Sequence, residues 1–496
     1  MSCVPARARA SLVPMTDFGP VFYIFGHILL ALGAAMLLPA GYDYLLADPN
    51  WMAMLQSSVE TLLFGALLSI ASRTDTPQPL SLRQAYMLTA AIWLLAPAFA
   101  ALPFVHGAPD VSLTDAYFEA ASGLTTTGYT VFQYLDEMPR SVLLWRAMLQ
   151  WAGGLGIAFV AMIFLPVMRI GGMRFFQTEG FDTFGKVLPR ATDIALALLQ
   201  VYSVLTIACA LAYVACGMQT FDAIANAMTT MSTGGFATSD QSFAHYPIAT
   251  HYASIIFMLL AGLPLIRFVQ IVQGQLSPIW RDSQVRAFLR WSLYYTLLAV
   301  LWRYAHEDLP FEQIFRETAF NFVSILTGTG FGVASVEAWG AFVLVLVFLV
   351  GMSGGCTGST SGSLSVFRVQ VVLEAIKTAI RQLHSPNRVV LPRYDGKPLD
   401  EATMGPLILH VTGYILTQGI VAVLISMTGV DFSSALFASW GAIGNIGFGI
   451  GPTVAATGTM ADYNDLATWL MSLSMLLGRL GLLAILVLVL PRFWRD

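Results

Sequence analysis

The chain has 496 residues, of which 56% are apolar and only 11% charged, with a net charge of −4 and a mean hydropathy of +0.69. A soluble chain carries about 25% charged residues, and a core of this size cannot hide so much apolar surface. The composition excludes a soluble enzyme, a nucleic-acid binder and a disordered protein, and it makes the chain a polytopic membrane protein. Four scattered cysteines, Cys3, Cys209, Cys216 and Cys356, have neither metal-ligand nor disulfide-framework spacing.

A membrane-spanning helix needs roughly 20 mostly apolar residues. Such stretches run over 20–41, 52–72, 84–104, 141–168, 192–217, 248–275, 286–304, 340–376, 405–428 and 464–491. The first is too long for the apolar part of a signal peptide and lacks a small-residue cleavage site, so it counts as a span. Several stretches exceed the minimum, which predicts tilted or broken helices. Ten spans put both termini on one side, and Lys and Arg select that side. Arg7 and Arg9 precede span one; Arg73 and Arg83 follow span two. Arg169, Arg174, Lys186 and Arg190 follow span four, and Arg281, Arg286 and Arg290 follow span six. Lys377, Arg381, Arg388, Arg393 and Lys397 follow span eight, and Arg492 and Arg495 end the chain. The opposite loops carry Asp43, Asp48, Asp110, Asp136, Glu137, Asp240, Glu307, Asp308, Asp462 and Asp465. Both termini are therefore expected in the cytoplasm.

Four outward segments are neither charged loops nor full spans. They read ASGLTTTGYTVF (121–132), TTMSTGGFATSD (229–240), VSILTGTGFGVA (323–334) and GAIGNIGFGIGP (441–452). Aligned on Gly128, Gly234, Gly330 and Gly447, they place Phe118, Ile224, Phe320 and Phe437 ten residues earlier. Thr127, Thr233 and Thr329 precede three of the glycines, and Ile446 precedes the fourth. Each segment lies between two spans. The unit is span, half-helix, glycine strand, span, used four times after an extra hairpin. It divides the chain into 1–75, 76–180, 181–280, 281–395 and 396–496. The plain alternative is four ordinary glycine-rich turns.

Irregular backbone at membrane depth must be buried in protein or line a watery cavity. Glycine lets successive carbonyls face one axis, and rings of carbonyl oxygens can replace the hydration shell of a monovalent cation. Half-helices that aim their C-terminal ends at the axis favour a cation there. The expected ion-binding positions are Thr126, Thr127 and Gly128; Ser232, Thr233 and Gly234; Gly328, Thr329 and Gly330; and Asn445, Ile446 and Gly447. A divalent ion calls for carboxylates, and no ring of four lies at this level.

The stretches LTDAYFEAASGLTTTGYTV (113–131), MPRSVLLWRAMLQWAGGLGI (138–157), TTMSTGGFAT (229–238), GGCTGSTSG (354–362) and LLGRLG (476–481) resemble the potassium-translocating subunit of the bacterial Trk family, within the Trk/Ktr/HKT superfamily. The resemblance covers nearly the whole chain in order, the N-terminal hairpin included. It implies an all-α inner-membrane protein with a pseudo-tetrameric, potassium-channel-like pore that pairs as a homodimer. It also implies a cytoplasmic nucleotide-binding regulatory partner, so that any nucleotide acts through that subunit. In the family, glycine in all four filter copies goes with K⁺ preference, whereas serine in the first copy goes with Na⁺ transport in some plant relatives. Gly128 therefore favours K⁺.

Span eight is interrupted by the small residues from Gly351 to Ser363, which are poor helix formers. Gly351, Ser353, Gly354, Gly355, Cys356, Thr357, Gly358 and Ser359 are the expected gate, and the stretch resembles the family's intramembrane gating loop. The alternative is a helix-packing seam using Gly351 and Gly355. Arg479 lies near the middle of span ten, where an arginine costs roughly 2.5–3.5 kcal/mol on insertion. It is expected to bond carbonyls of the interrupting stretch and to oppose cations. Two departures from the family pattern, Gly481 in place of an acid and Ser365 in place of a base, put gating strength and regulatory coupling in question.

The remaining charges read as structural. Glu119 reaches Arg146 or a backbone amide, Arg316 and Glu317 orient the third half-helix, and Arg267 and Arg303 snorkel near span ends. His27 and His410 are packing residues, and His251 is exposed at an outer boundary. No nucleotide fingerprint or catalytic cluster is present, so an enzyme is the weakest class. The cytoplasmic loops 169–191, 276–290 and 377–404 are basic enough to dock a partner. Transport of Na⁺ or NH₄⁺ on the same architecture remains the alternative to K⁺. The lack of an Asp/Glu/His relay across the spans favours conduction driven inward by the membrane potential over proton coupling.

Overall fold

Two long apolar helices open the chain, α1 (Gly19–Leu46) and α2 (Trp51–Ala71). Small residues decide how closely they pack. A Cβ on Gly26 would strike Ser69 and the Gly65 carbonyl, and Ser58 Oγ donates to the Gly33 carbonyl at 2.7 Å. In the computed structural model, residues 18–73, 80–164, 191–385, 391–399, 401–455 and 457–480, with Pro491 and Phe493, are described. Arg7, Arg9, Arg169, Arg174, Lys186, Arg190, Arg388, Gly481, Arg492, Arg495 and Cys3 lie outside the described residues.

After the hairpin, one pattern recurs. The first unit is α3 (Leu82–Ala100) with the short α4 (Leu102–His106), then α5 (Leu113–Leu124) and α6 (Arg140–Phe164). The second is α7 (Ala191–Ala215), α8 (Thr220–Met231), α9 (Ile248–Ala261) and α10 (Leu265–Val272). A short α11 (Ser277–Arg281) leads to the third, α12 (Ser283–His306), α13 (Phe311–Thr327), α14 (Ala341–Ser353) and α15 (Val366–His384). A two-stranded hairpin, β1 (Arg393–Tyr394) and β2 (Lys397–Pro398), precedes the fourth. That unit comprises α16 (Glu401–Ser426), α17 (Phe432–Gly444), the single turn α18 (Pro452–Ala455) and α19 (Asp465–Leu480). Among the described residues, helix lies within each of the ten predicted spans. Long apolar helices expose one face to their surroundings: on α7, Leu196, Val204, Ile207 and Leu211 are each more than half exposed. In a chain this apolar, such a face meets lipid.

Of the short helices α5, α8, α13 and α17, two start at side-chain caps and one after a proline. Ser112 Oγ accepts from Asp115 N, Asp431 Oδ1 accepts from Ser434 N, and Pro310 precedes α13. All four end alike. A left-handed residue stands at the end of each: Thr126 (φ 52°), Thr233 (φ 51°), Gly328 (φ 77°) and Asn445 (φ 51°). The next N–H reaches back five residues: Thr127 N to Ser122 O (2.9 Å), and Gly234 N to Thr229 O, Thr329 N to Ser324 O and Ile446 N to Gly441 O (2.8 Å each). The left-handed residues donate to Gly123, Thr230, Ile325 and Ala442 carbonyls, which completes a Schellman motif in each copy.

This shared ending corrects the repeat alignment in the second copy by one residue. Gly234 is equivalent to Thr127, not to Gly128, and Gly235 (φ 80°) takes the place of Gly128 (φ 91°) and Gly330 (φ 88°). Ser232 falls back to the helix cap. The residue ten positions earlier becomes buried Ala225 instead of Ile224, which is 46% exposed. The adjacent glycines in STGGF made either choice possible. The corrected register gives an aromatic residue after each glycine: Tyr129, Phe236, Phe331 and Phe448.

Span six, read as one stretch, is broken. α9 and α10 meet at 92° across Gly262–Pro264. Pro264 stands at the start of α10, and Gly262 packs where a Cβ would lie 2.7 Å from the Phe288 ring. Two other readings change. Arg303 does not snorkel: it is 1% exposed, pairs with Glu307 (2.7 Å) and Glu317 (3.0 Å), and lies over the Trp339 ring. His251 is buried and bonds Phe243 O at 2.8 Å. Replacing Asp431 by Ala removes the α17 cap and the Thr453 hydroxyl bond. The expected outcome is a loss of about 1–2 kcal/mol, read as a lower unfolding temperature of the detergent-purified protein, with Asp431→Asn less affected.

Candidate functional site

The four strands after the Schellman turns close on one another in chain order. A Cβ on Gly128 would fall on the Gly234 carbonyl, and one on Gly235 would fall on the Thr329 carbonyl. One on Gly330 would lie 2.8 Å from Gly447 N, and one on Gly447 would lie 2.6 Å from Thr127 O. First meets second, second third, third fourth and fourth first. The ring is too tight for any side chain at these positions, and three of the four glycines also need positive φ.

These strands are buried or half-buried, yet among the described residues no hydrogen bond is donated to the carbonyls of Thr126, Thr127, Gly128, Thr233, Gly235, Gly328, Thr329, Gly330, Asn445, Ile446 or Gly447. Buried carbonyls are otherwise nearly all paired. Two side-chain oxygens at the same level, Thr126 Oγ1 and Asn445 Oδ1, also have no partner. What the site offers is a cluster of neutral oxygens, with no carboxylate in the ring.

Side chains behind the strands hold the ring. Glu119 and Arg146 are fully buried and paired at 2.7 Å. Glu119 accepts from Thr130 Oγ1 and Val131 N, and Arg146 donates to Thr130 Oγ1 and, in the second copy, to Ala237 O (3.1 Å). Asn321 plays the corresponding part in the third copy, accepting from Val333 N and donating to Ala334 O. Asn445 Nδ2 donates to Thr127 Oγ1 (2.9 Å) and Tyr129 OH to Phe437 O (3.0 Å), which ties the fourth copy to the first.

Beneath the ring lies the segment that interrupts span eight. The helix persists to Ser353, so Gly351 and Ser353 belong to α14. Gly351 is a packing residue whose Cβ would enter the Trp440 ring. The irregular stretch runs from Gly354 to Ser365, with positive φ at Gly354, Gly358, Ser363 and Ser365. It fits into the break in span six: Cys356 N donates to Gly262 O and Leu265 N donates to Gly358 O, both at 3.0 Å. It also touches the helix ends that carry the ring. Thr360 Oγ1 donates to Met231 O (3.1 Å) and accepts from Thr233 Oγ1 (3.2 Å), and Ser363 Oγ donates to Gly444 O (3.1 Å). Arg479 Nη2 donates to Thr360 O at 2.9 Å, while its buried Nε has no partner.

The family described as TrkH, cation transport protein, matches residues 50–495. The chain belongs to the TrkH family. It is 36% identical over 99% of its length to all of the Trk system potassium uptake protein TrkI of Halomonas elongata. It is 32% identical over 97% of its length to all of the Trk system potassium uptake protein TrkH of Escherichia coli. The crystal structure of the potassium transporter TrkH from Vibrio parahaemolyticus superposes with a TM-score of 0.89, at 31% identity, over 97% of this chain and 100% of that one.

In this TrkH-family chain the sequence-predicted ring positions Thr126–Gly128, Thr233, Gly234, Gly328–Gly330 and Asn445–Gly447 come together, with Gly235 added. Of the residues named for the interruption, Gly354, Gly355, Cys356, Thr357, Gly358 and Ser359 lie in the irregular stretch. The carbonyl that Arg479 bonds is that of Thr360, within the 351–363 stretch expected to supply it though not among the residues named. Gln150 was missed. It lies four residues after Arg146, a spacing that puts both on one helix face. Breaking the buried pair by Arg146→Met is expected to destabilise the protein by about 3–5 kcal/mol. The readout is the fraction of protein that stays monodisperse on heating, and Arg146→Met combined with Glu119→Gln should recover part of the loss.

Proposed function

We propose that this chain carries K⁺ into the cell across the inner membrane, with the ring of strands as its selectivity filter. The observation that carries this reading is the closed ring of buried backbone carbonyls, all without donors except that of Gly234. Such oxygens satisfy themselves only on a cation or on water, and neutral dipoles release a monovalent ion more readily than carboxylates would. The C-terminal ends of α5, α8, α13 and α17 add partial negative charge below the ring. Membership in a family of cation transport proteins and the naming of relatives as potassium uptake proteins support the same reading.

The stretch Gly354–Ser365 is the gate, and Arg479 is its charged latch. Closed, the stretch is held by Thr360 and Ser363 to two filter-helix ends, and the guanidinium on Thr360 O repels an arriving cation. Opening requires those bonds to break together. A cytoplasmic nucleotide-binding subunit, docking on the basic loops, supplies that work, and the protein functions as a homodimer with both termini in the cytoplasm. No nucleotide binds to this chain itself, and K⁺ is its cargo.

The test is flux of K⁺, Rb⁺, Na⁺ and NH₄⁺ into liposomes holding only this protein, under an imposed potential. Strong K⁺ and Rb⁺ flux with little Na⁺ flux is expected, and equal flux of Na⁺ or NH₄⁺ would reject the K⁺ assignment. Gly128→Ser places a side chain on the Gly234 carbonyl and is expected to lower K⁺ preference over Na⁺; unchanged preference would remove Gly128 from the filter. Arg479→Ala is expected to raise flux at low driving force, and unchanged flux at equal membrane content would remove Arg479 from the gate.

A further inference from the structure

Helix α6 places a second side chain against the filter, one turn below Arg146. Gln150 is fully buried. Its amide grips the second strand at both ends of a two-residue step: Nε2 donates to Gly234 O at 2.7 Å, and Oε1 accepts from Phe236 N at 3.0 Å. The helix comes this close because glycines occupy its next turn. A Cβ on Gly153 would fall on the Leu124 carbonyl, and one on Gly154 would lie 2.9 Å from Ser232 Cβ. Gly234 itself has no room for a side chain because the Gln150 amide occupies that space.

This contact has no counterpart at the same ring level. The equivalent carbonyls of Thr127, Thr329 and Ile446 accept no hydrogen bond among the described residues. We propose that Gln150 is a specificity-determining positioning residue, which fixes the Gly234 carbonyl and lowers the field it presents to the ion. The inference rests on the filter reading above. A carbonyl that accepts an amide N–H keeps a second lone pair for an ion, but the donor's positive hydrogen beside the oxygen offsets part of the negative potential that the ion meets. Coulomb attraction grows as the ion shrinks, so a weaker field costs a small ion more than a large one. Gln150 thereby tilts an asymmetric ring toward the larger monovalent cation.

The experiment measures the K⁺/Na⁺ flux ratio in liposomes for the wild type, Gln150→Met, Gln150→Glu and Trp151→Phe. Met keeps the bulk and removes both bonds, whereas Glu keeps an acceptor for Phe236 N and loses the amide donor to Gly234 O. Trp151 bonds Thr206 on α7 and serves as the control for a disturbed α6. The ratio is expected to fall about tenfold in Gln150→Met, the scale of one lost buried hydrogen bond that acts on the two ions unequally. It should also fall in Gln150→Glu and stay at the wild-type value in Trp151→Phe. An unchanged ratio in Gln150→Met at equal membrane content overturns the proposal, as does an equal fall in Trp151→Phe. If only Gln150→Glu is recovered, an unchanged ratio in that variant overturns it. Failure of both variants to fold makes Gln150 a folding residue and overturns it as well. A wild type without K⁺ preference refutes the filter reading instead.

Discussion

Everything in this molecule is arranged around backbone carbonyls that are buried and left without donors. Folding normally pairs such groups, because an unpaired buried carbonyl costs about as much as a lost hydrogen bond. Here they are collected in four strands that close on each other so tightly that a methyl group would collide with a neighbouring backbone. The Schellman endings of α5, α8, α13 and α17 are what make this possible. They consume the N–H groups at the helix ends and turn the chain outward with the next carbonyls unpaired. Two of the left-handed residues are β-branched threonines, a conformation that costs on the order of 1–3 kcal/mol and persists only where the surroundings over-determine it.

The same accounting explains the two broken spans. Each interruption frees backbone groups that lipid cannot satisfy. Gly262 O and Leu265 N, freed by the bend in span six, pair with Cys356 N and Gly358 O from the interruption in span eight. Neither break would be tolerable alone. The stretch Gly354–Ser365 therefore lies under the ring for a local reason, and movement of it exposes groups on α9 and α10 as well.

The repeat, its four glycine strands and the interruption were legible because they depend on composition and spacing, which periodicity records. The one-residue slip at Gly234 and Gly235 was not. Two adjacent glycines fit the same pattern, and the hydrogen bond from Gly234 N to Thr229 O, with the positive φ of Thr233 and Gly235, separates them. Arg303 and His251 were misplaced because a charge near a span end reads the same whether it reaches water or folds back onto Glu307, Glu317 and Phe243. Gln150 was hidden because its partners lie 84 and 86 residues away. The break at Gly262–Pro264 did carry a signal, a Gly-x-Pro step, that the length of the apolar stretch obscured.

Charge is distributed unequally above and below the ring. Above the ring, the buried arginines are matched: Arg146 by Glu119, Arg303 by Glu307 and Glu317. The Arg146–Glu119 pair is neutral and bonds the strands directly, whereas Arg303 with its two glutamates carries a net negative charge. Below the ring, no carboxylate among the described residues lies within ion-pair distance of Arg479, and its contact is to a carbonyl. An unmatched, half-buried charge is expensive, so its place in the fold needs a compensating source of negative potential. The donor-free carbonyls and the C-terminal ends of four short helices supply one.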